Sequence, residues 1–161
     1  MPLLIDAYNV LHANKPPPLA GLELVGLCRL LGREPWRRQH ARVVCDGAPG
    51  PLGLTDSPHH EVRLLYAGHA RSADDLIIEL IDADTAPRRL TVVSSDHEIR
   101  RAARRRRARA WTSEHFLHNL AASLGGQAYR GPDKPTPGQL DPNQTAKWLK
   151  AFGLDDESET K

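Results

Sequence analysis

Short apolar runs, each closed by a polar or acidic residue, alternate along this chain with stretches whose apolar residues recur every three or four positions. Leu3-Leu4-Ile5 is uniformly apolar and stops at Asp6, the pattern of a strand buried on both faces. Pro16-Pro17-Pro18 marks a loop, and residues 20–32 then place Leu24, Leu27, Cys28 and Leu31 on one helical face. Val43-Val44-Cys45 reads as a second buried strand that stops at Asp46-Gly47, before a Gly- and Pro-rich loop from Ala48 to Pro58. Val62 to Tyr66 is a third strand, ending near Gly68. Residues 73–84 form a strongly apolar helix, with Ser72 and Asp75 spaced as a capping box. Leu90 to Val93 is a fourth strand, followed by Ser94-Ser95-Asp96. Ser95 and Glu98 repeat the capping-box spacing and open a helix from 97 to about 107. Ala108 to Thr112 is a short fifth strand, and residues 113–124 a helix with Phe116, Leu117, Leu120 and Leu124 on one side.

Strands alternating with helices predict an α/β fold with a mostly parallel sheet of about five strands, covered on both faces. The chain has 161 residues, which fits one domain of ordinary size. The predicted organisation is a domain over 1–128, a linker and short docking helix over 129–154, and a disordered acidic tail over 155–161. Gly131 to Gly138 supplies the linker. Asp141-Pro142 opens the short helix, Gly153 ends it, and Trp148 and Phe152 are its docking residues.

In an open parallel sheet, ligands bind at the carboxyl ends of the strands. Three predicted strands end at Asp6, Asp46 and Asp96, and Asp74 opens the helix after the third strand. Four carboxylates at one edge repel: two unit charges ~4 Å apart cost roughly 4 kcal/mol at an effective dielectric near 20. Protonation or a cation relieves this, and hard oxygen donors suit Mg²⁺ or Mn²⁺. Such an ion can activate water and neutralise charge on a phosphate under attack. The competing reading is that Asp often follows strands simply because it caps helices and makes turns. Helical geometry separates Asp74, which shares a face with Ile77, Ile78 and Ile81, from Asp75, which aligns with Glu79 and Asp82. Asp74 is therefore the predicted ligand and Asp75 the cap. Asn9 has two readings, a contact to a carboxylate or phosphate and a turn-former. Tyr8 also has two, a stacking platform for a base and a core residue.

Charge and composition narrow the ligand. The formal net charge is only +2, but Arg100, Arg101, Arg104, Arg105, Arg106, Arg107 and Arg109 crowd one segment. On a helix from 97 to 107, Ile99, Ala102 and Ala103 form the buried face and the arginines mostly point outward, Arg106 excepted. A basic helix that begins at Asp96 suits a polyanion passing the acidic edge, although a charge run can equally be a solvated face. Arg71, just before Asp74, is a further candidate phosphate contact. His59, His60 and His97 are conceivable general bases, with surface and capping roles the plainer reading. Cys28 and Cys45 lack zinc spacing and read as buried small hydrophobes. No apolar run approaches the ~20 residues needed to span a bilayer, and no signal peptide opens the chain, so a cytoplasmic location is expected. Nucleophile-elbow serine and Walker sequences are absent.

Four segments together resemble the NYN-domain family, in its YacP-like branch, relatives of the PIN nucleases. They are Leu4-Ile5-Asp6-Ala7-Tyr8-Asn9, Val43-Val44-Cys45-Asp46, Ser72-Ala73-Asp74-Asp75-Leu76-Ile77 and Val92-Val93-Ser94-Ser95-Asp96. Position 7 is Ala where the family usually has Gly, and residues after 125 look unlike the long basic C-terminal part of YacP-like relatives. The resemblance implies a PIN-like three-layer α/β/α fold and metal-dependent endoribonuclease activity, in some members directed at messenger RNA on the ribosome. Carried over by position, it implies Asp6, Asp74 and Asp96 as metal-site acids, with Asn9 and Asp46 supporting; Asp75 and Ser95 are further supporting candidates. Arg71, Arg100, Arg101, Arg104, Arg105 and Arg107 are the candidate RNA contacts. Two other readings remain: a non-catalytic RNA- or ribosome-binding module, and a small-molecule phosphohydrolase. The common haloacid-dehalogenase form of the latter wants Asp two residues after the first-strand Asp, where this chain has Tyr8.

Overall fold

The structure, a computed structural model, describes residues 1–49, 56–57 and 59–125. These residues all lie within one compact unit, Met1–Tyr129. The linker, docking helix and acidic tail expected after 128, and most of the loop expected before Pro58, lie outside the described residues.

Five strands form one parallel sheet: β1 (Leu3–Asp6), β2 (Ala41–Cys45), β3 (Val62–Tyr66), β4 (Thr91–Val93) and β5 (Arg109–Trp111). Their spatial order is β3-β2-β1-β4-β5, with every neighbouring pair parallel. The alternation of side chains along each strand divides the apolar residues between two cores. Leu3, Ile5, Val43 and Val93 face one side, where α1 (Ala7–His12), α2 (Leu24–Leu31) and α5 (Ser113–Leu124) pack. Leu4, Val44 and Val92 face the other, beneath α3 (Ala73–Ala83) and α4 (His97–Arg105). The expected three-layer α/β/α arrangement is what forms. On the α5 side, Phe116 meets the buried Trp36 ring edge-on at 5.4 Å, and the Trp36 indole N–H donates to Ser123 Oγ at 2.9 Å.

The local reading needs three corrections. The segment after β1 is helix α1 and not a turn, so Ala7 sits in helical backbone that needs no glycine. Helix α4 is capped by Asp96 and not by Ser95: the Asp96 carboxylate accepts from the backbone N–H of Glu98 and Ile99. The same helix stops at Arg105, two residues short of the expectation, because Arg107 turns into the left-handed region at φ 62°.

Candidate functional site

Strand order locates the ligand crevice. From β1 the chain moves outward to β2 and β3, then returns to build β4 and β5 on the other side. The reversal falls between β1 and β4, and ligands of such sheets bind at the carboxyl ends of the two strands flanking it. Asp6 ends β1, and Ser94 to Asp96 follow β4 at this point.

Asp6 is almost wholly buried, at 1% exposure, yet both of its oxygens have partners. Oδ1 accepts from the Asn9 backbone N–H at 3.0 Å, which caps α1. Oδ2 accepts from the Asn9 side-chain amide at 2.6 Å and from the Ser94 hydroxyl at 2.8 Å. Of its two sequence readings, Asn9 takes the first, as an orienter of the carboxylate. Ser94 was missed in the sequence. The β1–β4 register pairs Ile5 with Val93, so the next residues along, Asp6 and Ser94, meet side by side. Fully buried, the Ser94 hydroxyl also accepts from the Asp96 backbone N–H at 3.0 Å and so ties the two acids together.

Asp46 and Asp74 come from the other side of the crevice. Gly47 and Gly68 adopt φ of 67° and 81°, where only glycine sits without strain, and the Gly68 N–H donates to Gly47 O at 2.8 Å. This clasp joins the loops after β2 and β3. Asp46 Oδ1 then accepts from the Ala73 backbone N–H at 2.9 Å, fixing the start of α3. The Asp74 carboxyl is held above the usual carboxylate range by partial desolvation, and then by the charges of Asp6, Asp96, Asp46 and Asp75. Asp74 therefore lies within reach of the charges on the other acids, although it is exposed rather than turned into the sheet as its helical face implied. Asp75 closes the capping box with Ser72, as expected.

A further acid was also missed. Glu114 opens α5 beside Ser95, whose hydroxyl donates to it at 3.0 Å while accepting from the Ser113 backbone N–H at 3.1 Å. Hydrogen bonding from its own backbone N–H, helped by Ser95, Thr112 and Arg100, holds the Glu114 carboxyl below its usual range despite partial burial. Acids in first helical turns are so common that sequence offered no reason to single it out.

Among the described residues, no three His, Cys, Asp or Glu side chains are arranged as a ready-made metal site. The donor chemistry still fits a hard cation. Asp96 spends only Oδ1 on its cap, and Asp46 only Oδ1 on Ala73, which leaves oxygen donors beside the mutually repelling Asp74. Mg²⁺ keeps several of its waters and needs only one or two carboxylates. Tyr8, next to the site, is 60% exposed and stacks on His12 with ring centroids 4.1 Å apart, so it is not a core residue. Arg101, Arg104, Arg105 and Arg107 are exposed, and Arg100 is half-buried. Arg71 is ion-paired with Glu79, which spends part of its charge. His97 is exposed at the first position of α4, and His59 and His60 lie far along the chain, before β3. Burial first, then Cys28, Asp46 and Asp6, push the Cys45 thiol up to about 11, the state of an inert buried cysteine.

No helix among the described residues is long and apolar enough to cross a membrane. No curated protein matches the chain. Two solved structures of Rae1 (YacP) from Bacillus subtilis are similar in fold. One aligns with a TM-score of 0.57 and 17% identity over 96% of this chain and 84% of its own. The other, a mutant form, aligns with a TM-score of 0.55 and 16% identity over 98% and 87%. The sequence model of the YacP-like NYN domain matches residues 29–136, more than half of the chain; it takes in Asp46, Asp74 and Asp96 and begins after Asp6. The chain belongs to the YacP-like NYN domain family, which implies a PIN-like nuclease fold and an RNA-related role.

Proposed function

We propose that the protein is a metal-dependent endoribonuclease that hydrolyses RNA phosphodiester bonds at the β1–β4 crevice. The observation that supports it most is the pairing of Asp6 with Asp96 through the Ser94 hydroxyl, at the crevice where the strand order reverses, with a basic helix leading away from it. In this reading Asp74, Asp96 and Asp6 hold Mg²⁺ or Mn²⁺, with Asp46 supporting. When bound, such an ion would lower the pKa of a water so that hydroxide is available as the nucleophile, and would offset charge on the phosphate. Asn9 and Ser94 keep the Asp6 carboxylate aimed, through the hydrogen bonds they donate to its two oxygens. Tyr8 offers a base an exposed aromatic face, worth ~1–3 kcal/mol per stacked base. Arg100, Arg101, Arg104, Arg105 and Arg107 hold the backbone beyond the cut, and Arg71 is a lesser candidate because of Glu79. Messenger RNA on the ribosome is a candidate substrate, and the cytoplasm the expected location.

The second reading is a non-catalytic RNA-binding module. It is favoured by the hydrogen bonds that occupy both oxygens of Asp6. Cleavage of a mixed single-stranded RNA with Mn²⁺, Mg²⁺ or chelator separates the two. The nuclease reading expects metal-dependent turnover that falls about 100-fold or more in Asp74→Asn and Asp96→Asn. Asn caps helices as well as Asp, so the second change spares α4. Turnover that persists in both variants, or in chelator, would sink the mechanism. Salt-sensitive RNA binding without turnover in any metal would leave the binding module.

A further inference from the structure

Helix α4 runs from the carboxyl ends of the strands to their amino ends. At its far end the chain builds a cavity of about 600 Å³ that the acidic site does not use. Arg105, Arg106 and Arg107 enter it from the end of α4, and Arg88 and Arg89 from the 3₁₀ turn that leads into β4. Among the described residues, no acidic side chain lines it. Cations at a helix C-terminus are favoured by the helix dipole, which accounts for Arg105 and Arg106. It does not account for Arg88 and Arg89, which arrive from another segment and add their charge to the same space.

Arg88, Arg89, Arg105 and Arg107 are exposed, and two details fix the centre of the cluster. Arg106 donates from Nη2 to the Asp84 carbonyl at 2.9 Å, which fixes its guanidinium, while its buried Nε has no partner. Arg107 holds its left-handed backbone, its N–H donating to Arg104 O at 2.9 Å. Among the described residues, none of the five arginines pairs with a carboxylate. Five guanidiniums without an acid repel one another and match an anion with several acceptor oxygens; planar forks bind phosphate in pairs of parallel hydrogen bonds. Cavities of this size hold a small ligand, and Pro87 provides an apolar wall for a sugar.

We propose that this arginine cavity is a second RNA phosphate site, at the sheet edge opposite the carboxylates, joined to them by the exposed arginines of α4. It rests on the RNA-binding half of the reading above and not on cleavage. Its reach can be calculated. At a rise of ~1.5 Å per residue, the helix His97–Arg105 separates the two ends by roughly 14 Å. Stacked nucleotides advance about 3.4 Å each, so roughly four phosphates lie between them.

The test is binding of fluorescein-labelled oligouridylates of three and twelve nucleotides to the full chain, in chelator, across a salt series. Arg88 and Arg89 are exposed, so the double variant Arg88→Ala/Arg89→Ala leaves the fold intact. For the 12-mer it should lose affinity severalfold and flatten the log-log salt slope by about 1.4, two contacts at ~0.7 each. For the 3-mer, which cannot span the helix and divides between the two ends, the loss should be smaller than for the 12-mer. An unchanged 12-mer slope beside normal wild-type RNA binding overturns this proposal alone. Absence of RNA binding by the wild type overturns the RNA reading with it. Calorimetry with uridine monophosphate supplies the last arm. If the double variant loses that ligand while its 12-mer slope is unchanged, the cavity belongs to a free nucleotide and the proposal falls.

Discussion

Asp74 reports the electrostatic state of the candidate site. Its carboxyl holds its proton more tightly in the folded chain than in the unfolded one, through desolvation first and then the neighbouring Asp charges. The linked stability is therefore fully present below the unfolded carboxylate value near pH 4, and is lost as pH rises through the higher folded value. In chelator, Asp74→Asn should raise the melting temperature at pH 7 by about 1–2 °C, the scale of a solvent-screened charge interaction. The gain should vanish at pH 3.5. Thermal melts at the two pH values check this, and an equal gain at both would remove the charge explanation. The strand-end acids were legible in the sequence because each interrupts an apolar run. Ser94 was not, because its value comes from the β1–β4 register, and Glu114 was not, because only packing sets it beside Ser95.

Between the elements, the decisive link is the clasp that carries Asp46 and Asp74 to β1. β3 lies at the margin of the sheet, and α3 crosses back over β2 and β1 from there. The Gly47–Gly68 hydrogen bond and the Asp46–Ala73 hydrogen bond set where that crossing begins. A Cβ on Gly68 would meet nothing within 4 Å, so replacement carries a purely conformational cost. Gly68→Ala should destabilise the protein by about 1–2 kcal/mol, and Gly68→Asn by less, since Asn tolerates the left-handed region. Urea unfolding measures both, and an Asn variant no better than Ala would place the strain elsewhere. The Gly signal was visible in the sequence as a strand end. Its pairing with the loop after β2 was not, because it joins residues far apart in the chain. The short helix α1 escaped notice for a related reason: six residues carry too little periodicity, and its cap, Asp6, already had another reading.

Across the whole molecule, an acidic crevice and an arginine cavity occupy opposite ends of the sheet with α4 between them. The acidic end predicts linkage to divalent ions. Mn²⁺ at ~100 times its dissociation constant should stabilise the wild type by about 2.7 kcal/mol. The Asp74→Asn/Asp96→Asn double variant should show little of that gain. Scanning fluorimetry with a manganese titration reads both, and equal shifts would move the ion off these acids. The order of apolar runs and helical faces was enough to determine the α/β class, the five strands, and the edge at which acids gather, because burial and side-chain period act locally. Tertiary structure alone decided which residues meet there. Strand order put the crevice between β1 and β4, register set Ser94 against Asp6, and the return of the chain to β4 brought Arg88 and Arg89 to the end of α4. Those contacts join residues distant in sequence, and no local pattern encodes the geometry that brings them together.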